Sequence, residues 1–343
     1  MIKIKGLATG IGSLPHSDNI DEALDLIFQS IPEIPFWPQL PKRDLREGMV
    51  TQYSENIPCL RVGRDGLFFQ AQDKDQELEL FYERLIANDF EYFRISPDFA
   101  RGLHAFYKRL EQRGTSGIEF IKCHITGPFT FAASIKDESG GCLLHDQVFM
   151  QVVLKALMMK AIWQIKYFAR FGKPIIVFID EPYLGAFGSA YTPINREDVV
   201  SGLIELTEGI KAEGALTGVH CCGNTDWSIL TDTLTLDIIN FDAYSFLDKF
   251  ILYADNLKGF LERGGIICWG VAPTQEYSPK IKAEALVAKI REGIDILGKK
   301  GVDRDLLSQR LLITPACGLG TLDIQSAKGI FSLLRETSEI LQK

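Results

Sequence analysis

The chain has 343 residues, 46% hydrophobic and 24% charged, ordinary globular usage that excludes a disordered, collagen-like or coiled-coil polypeptide. With 37 Lys and Arg against 45 Asp and Glu, the net charge is −8. Such a surface gains little from a phosphate backbone, so nucleic acid is not an expected partner. No apolar run reaches the roughly 20 residues a bilayer requires, and residues 1–6 lack the apolar core of an export signal. The expectation is therefore a cytoplasmic protein with no membrane partner. Its seven cysteines would be reduced and available as metal ligands or small buried groups.

Along the chain, short apolar β-type runs alternate with longer helical patterns. The runs fall at 7–13, 35–40, 118–126, 174–181, 215–222, 238–244, 266–271 and 311–317. Helix-like stretches lie at 18–30, 75–88, 97–113, 146–171, 195–213, 254–263, 280–299 and 321–341. Alternation of this kind predicts βαβ units and parallel pairing. Runs as apolar as Ile175-Ile176-Val177-Phe178-Ile179 suit a sheet buried on both faces. Eight of them predict an α/β fold of (β/α)8 TIM-barrel type, one domain over 1–343. Such barrels need about 250 residues. The surplus predicts an insertion between strands two and three, at about 42–117, with a β-hairpin turning at Arg64-Asp65-Gly66. A doubly wound open sheet is disfavoured because no Gly-x-Gly-x-x-Gly turn follows the first strand.

Barrel enzymes carry their chemistry at the C-terminal ends of the strands, and the unusual polar residues fall there. His220 and Cys222 are two apart in a strand and so share a face, with Cys221 opposite. An imidazole and a thiolate so placed suit tetrahedral Zn2+. Cys317, in Pro315-Ala316-Cys317-Gly318-Leu319, is the third ligand expected. The fourth is left open between Asp242, Tyr244 and water. Cys59, Cys123, Cys142 and Cys268 read as small buried hydrophobes. Of the adjacent carboxylates in Asp180-Glu181-Pro182, alternation turns one to the barrel mouth. Asp180 is expected to meet a substrate ammonium, and Glu181 either to do likewise, to pair with a neighbouring Arg or to accept backbone N–H groups. The Gly10–His16 turn offers N–H groups and the Ser13 hydroxyl to a carboxylate. His16, His124 and His145 read as structural histidines with satisfied rings.

Five segments, Ile11-Gly12-Ser13, His124 through Pro128, Ile179 through Pro182, His220-x-Cys222 and Pro315 through Thr321, resemble in order and spacing the uroporphyrinogen decarboxylase and cobalamin-independent methionine synthase superfamily. The likeness is greatest to the catalytic barrel of cobalamin-independent methionine synthase. It implies a zinc held by His220, Cys222 and Cys317, with the family's glutamate falling on Asp242. It also implies that Ile11, Ser13 and Asp180 hold the amino-acid end of homocysteine. Three features of the family's folate side are missing. Phe131 follows Gly127-Pro128-Phe129-Thr130 where the family has Trp, Tyr277 stands before Ser278-Pro279 where it has His, and the first of two barrels is lacking. The resemblance thus implies a zinc-dependent methyltransferase making methionine from homocysteine with a methylcorrinoid donor, methylcobalamin or a corrinoid protein. His220–Asn224 also resembles methylcobalamin:coenzyme M methyltransferases. Three alternatives follow: another small thiol as acceptor, a metal-free decarboxylase of the uroporphyrinogen type, and a corrinoid- or metal-binding accessory protein.

Overall fold

The structure is a computed structural model and describes residues 4–64, 66–189 and 194–343. Among the described residues nine strands form: β1 (Leu7–Ala8), β2 (Leu60–Gly63), β3 (Gly66–Phe69), β4 (Ile121–Thr126), β5 (Ile175–Asp180), β6 (Leu216–Cys221), β7 (Ile238–Phe241), β8 (Ile266–Ala272) and β9 (Leu311–Pro315). Seven make one curled parallel sheet in the order β1-β9-β8-β7-β6-β5-β4. The antiparallel pair β2–β3 stands apart in the expected insertion, with Gly63 opposite Gly66; Asp65 of its turn lies outside the described residues.

An eighth full strand does not form where it was expected, at 35–40. That segment makes single parallel bridges, Phe36 to Lys122 on β4 and Gln39 to Ser13 beyond β1. Side chains take the place of the ladder between those bridges. The Trp37 indole stacks on the His124 ring at 3.8 Å and donates to Gln164. The His124 carbonyl, which a ladder would pair with a neighbouring strand, instead accepts from the Tyr53 hydroxyl at 3.0 Å and the Gln164 amide at 3.1 Å. Bulky rings thus hold the two backbones apart without leaving the carbonyl unpaired.

The sheet is apolar on both faces, as parallel sheets covered by helices must be. Its inner face packs Phe120, Ile176, Phe178, Ile238, Cys268 and Leu312 into one cluster, while Val177, Ile179, Val219, Cys221 and Phe241 join the outer core beneath the helices. Alternation therefore assigns the even-numbered residues of β4 to β7 to the interior. The helix Gln147–Ala169 corrects the reading that nothing is apolar enough to cross a bilayer: it is long and apolar enough, yet 72% of its most apolar window is buried inside the protein. A helix that packs on several sides needs such a composition.

The helix Arg101–Arg113 braces the irregular segment by close backbone approach. A Cβ on Gly102 would lie 1.9 Å from the Pro38 carbonyl oxygen. Gly102→Ala is expected to destabilise the protein by about 1–3 kcal/mol. Gly259→Ala, in a helix with nothing within 4 Å of the added carbon, should instead stabilise it by about 0.4–1 kcal/mol. Urea unfolding of the two variants gives opposite signs if the contact is as drawn.

Candidate metal centre

β6 delivers His220 to the inner face at its C-terminal end, and Cys222 follows just past the strand. The turn after β9 brings in Cys317. The possible ligand atoms of His220, Cys222 and Cys317 all lie within 4.8 Å of one another. His220 is buried, and the two sulfurs are partly exposed. Cys221 points outward into the helix-facing core, as alternation requires. All seven cysteines are free thiols.

The imidazole is held from behind. His220 and Asn240 are paired neighbours on β6 and β7, and His220 Nδ1 bonds the Asn240 side-chain oxygen. Asn240 is fully buried, and its amide donates to the Cys268 carbonyl and the Thr314 hydroxyl, both at 2.9 Å. With both amide hydrogens committed, the Asn240 oxygen can only accept, so Nδ1 carries the proton and Nε2 is left as a lone-pair donor. That is the tautomer a metal ligand needs.

The Cys222 thiol and His220 lie against the Cys317 sulfur and pull its pKa well down, while Cys222, donating to Cys317 and partly buried, is pushed up. Burial disfavours charge on His220, but Cys317 and Asp180 more than offset it and leave the ring more basic than usual. One nitrogen and two sulfurs are the soft-to-borderline ligands Zn2+ favours.

Asp242 does not join this cluster. It is the N-cap of the helix Ala243–Phe250, and its Oδ1 accepts from Ser245 N at 2.8 Å. Burial raises its pKa, against the pull of that cap. With Tyr244, Thr274 and Glu276 it lines a cavity of about 220 Å³ that opens onto Cys222 and Cys317. Tyr277 is turned away: its hydroxyl occupies the space beside Gly329 in the last helix, where a Cβ would come within 1.9 Å.

Asp180 and His220 are paired neighbours on β5 and β6, so both face inward. Burial pushes the Asp180 carboxyl up to about 6, against the pull of His220 and Lys122, and its Oδ1 has no hydrogen-bond partner among the described residues. Glu181 goes the other way. It accepts from Phe129 N and Thr130 N, both at 2.9 Å, and from the Thr130 hydroxyl, which ties the end of β5 to the turn after β4. Ser13 stands beside the Cys317 turn, its carbonyl accepting from Leu319 N at 2.9 Å and its hydroxyl from Gly320 N at 3.2 Å. The Ile11 carbonyl accepts from Lys122 Nζ at 2.5 Å. Among the described residues no backbone carbonyl takes the N–H of Ile11 or Ser13.

Lys122, Asn240 and the state of two histidines escaped the sequence reading. Lys122 is fully buried, 4.4 Å from the Phe178 ring centre, and burial lowers its pKa to about 8. His16 and His124 are buried as expected of structural residues, but neither ring nitrogen of either has a partner among the described residues. His145 is exposed. The available signal was parity: Lys122, His124, Asn240 and Asp242 stand an even number of residues from neighbours already assigned inward.

A curled parallel sheet with a His-Cys-Cys cluster at its carboxyl edge defines the class: an α/β fold with residues that could hold a metal ion at the strand ends. No protein-family model matches the chain. A curated methionine synthase from Methanocaldococcus jannaschii is 27% identical over 225 residues, 65% of this chain and 65% of the relative's length. A solved B12-independent methionine synthase from Shewanella sp. W3-18-1, in complex with selenomethionine, matches with a TM-score of 0.59 at 16% identity over 99% of this chain and 98% of that one. The resemblance read from the motifs therefore holds: the chain is similar to a curated methionine synthase and folds like a solved B12-independent one.

Proposed function

We propose that the chain is a zinc-dependent thiol methyltransferase that makes methionine from homocysteine, taking the methyl group from methylcobalamin or a corrinoid protein. The observation that carries the reading is the convergence of His220, Cys222 and Cys317, with Asn240 fixing the histidine tautomer. We take residues 1–343 as one catalytic domain, a (β/α)8 barrel whose second strand is the bridged segment around Phe36–Gln39, with an insertion at about 42–117.

His220, Cys222 and Cys317 would hold the zinc. Bound there, the metal supplies Lewis acidity, which turns a thiol of ordinary pKa about 8.5 into a thiolate at neutral pH. The chain's own residues do the rest. Asp180, buried with a free oxygen, pairs with the substrate ammonium and gains the partner it lacks. Ile11 and Ser13 offer N–H groups to the carboxylate, while Lys122 fixes their loop from below. Asp242, with Oδ1 engaged as a helix cap, stands on the wall of the cavity through which the substrate thiol would reach Cys222 and Cys317. The reaction balances as homocysteine thiolate plus methyl–cobalt(III) giving methionine and cobalt(I), the thiol proton leaving to solvent. Asp242 and Glu276 make the wall of the adjoining cavity acidic, a poor match for an anionic folate donor, and neither Phe131 nor Tyr277 offers the folate-side groups of the family.

The solved neighbour is a B12-independent enzyme, so the donor is the feature to test first. Purified protein is expected to hold one zinc and to form methionine from homocysteine and methylcobalamin, with amine-free thiols much slower. Turnover with methyl-folate alone would overturn the donor, and absence of stoichiometric metal would overturn the mechanism.

A further inference from the structure

Inner-face residues of β4 run upward in the order Lys122, His124 and Thr126. Thr126 is paired with Asp180 on β5, and His124 with Phe178 one layer beneath. The His124 ring is packed from two sides: it stacks on Trp37 at 3.8 Å and fills the space where Gly12 would carry a side chain, a Cβ there lying 3.0 Å from Nε2 and from Cε1. The ring is 1% exposed, and both nitrogens lack a partner among the described residues. Tyr53, which bonds the His124 carbonyl, feels the charge of Asp180. Two unsatisfied buried groups, a carboxylate oxygen on Asp180 and the His124 imidazole, therefore stand on the inner faces of adjacent strands, and Gly12 of the Ile11–Ser13 turn lies against the imidazole. Buried polar groups without partners are costly unless something completes them. An α-amino acid carries the complement: an ammonium for Asp180 and, on the same carbon, a carboxylate for a ring N–H.

We propose that His124 is an acceptor-binding residue that donates a hydrogen bond from its imidazole to the α-carboxylate of the amino-acid thiol. Resting on the acceptor reading above, the inference adds to it the group that separates homocysteine from simpler aminothiols. Trp37 and Gly12 hold the ring in place for that contact. Burial and the cation of Lys122 keep the ring in its uncharged form, with one donor and one acceptor.

The test uses the full chain loaded with Co2+ and reads the thiolate-to-cobalt absorption band, which needs no methyl donor. Homocysteine is compared with 3-aminopropane-1-thiol, the same molecule without the carboxylate. The wild-type protein is expected to prefer homocysteine. His124→Phe, which keeps the stacking ring, should weaken homocysteine binding roughly 10- to 100-fold, as for a lost hydrogen bond to a charged group, and leave the aminothiol within about twofold. His124→Asn, which restores a donor in less volume, should recover part of the preference. Wild-type preference in both variants overturns the proposal. If neither thiol perturbs cobalt in the wild-type protein, the acceptor reading fails and takes this inference with it, an outcome visible before any variant is made.

Discussion

Replacing Cys317 with alanine is expected to weaken zinc binding on the order of 10²- to 10³-fold and to lower methionine formation in step. Structural zinc sites with four protein ligands hold the metal by roughly 10–16 kcal/mol, so one ligand is worth about 2.5–4 kcal/mol, and each 1.4 kcal/mol is a factor of ten. Two features keep the loss from being softened. His220 is fixed by Asn240, and Cys222 follows directly on β6, so neither can swing to recruit a replacement. Asp242, the carboxylate on the cavity wall, is engaged by Ser245 N. Cys123→Ala is the proper contrast, because that thiol is buried in the outer core outside the cluster and the Asn240 network. It should cost stability through a small cavity but leave chelator competition for zinc unchanged. Equal zinc affinity in Cys317→Ala and wild-type protein would sink the metal centre.

The parts of the fold legible in the sequence were those written in period. Parallel strands buried on both faces must be continuously apolar, and β5 in Ile175–Asp180 and β8 in Ile266–Ala272 announce themselves by that rule. Alternation at their ends was equally legible: it separated His220 from Cys221 and Asp180 from Glu181, and the structure places each on the side expected. Illegible were features that depend on what lies across a gap. The segment 35–40 reads as a strand, but the volume of Trp37 against His124 decides that it bridges rather than ladders. Short helices such as Pro128–Ala133 and Ala243–Phe250 span too few turns to show a period, although the second takes Asp242 as its N-cap. Lys122 and Asn240 were hidden because a single polar residue in an apolar run reads as a flaw in the pattern. Only the register of neighbouring strands reveals that each has partners waiting.

Asn240 carries the second large expectation because it acts on the metal through one atom of a neighbour. Asn240→Leu conserves volume but removes the acceptor of His220 Nδ1–H and the donor to Cys268 O and Thr314 Oγ1. Freed from that bond, the imidazole can place its proton on Nε2 or rotate, and outer-sphere losses of this kind typically weaken metal binding 10- to 100-fold. Three buried polar groups are also left unpaired, at roughly 1–3 kcal/mol each before relaxation or a trapped water relieves them. Loss of stability alone would mean only that Asn240 is structural, so the deciding comparison is Asn240→Asp. A carboxylate at that position can still accept from Nδ1 and makes the imidazole a stronger ligand, while it loses the amide's two donated bonds as leucine does. If Asn240 works by setting the tautomer, Asn240→Asp retains zinc in a chelator competition and Asn240→Leu sheds it, although both unfold earlier than wild type. If both variants lose zinc equally, the amide's donated bonds hold the centre together and the tautomer argument is wrong.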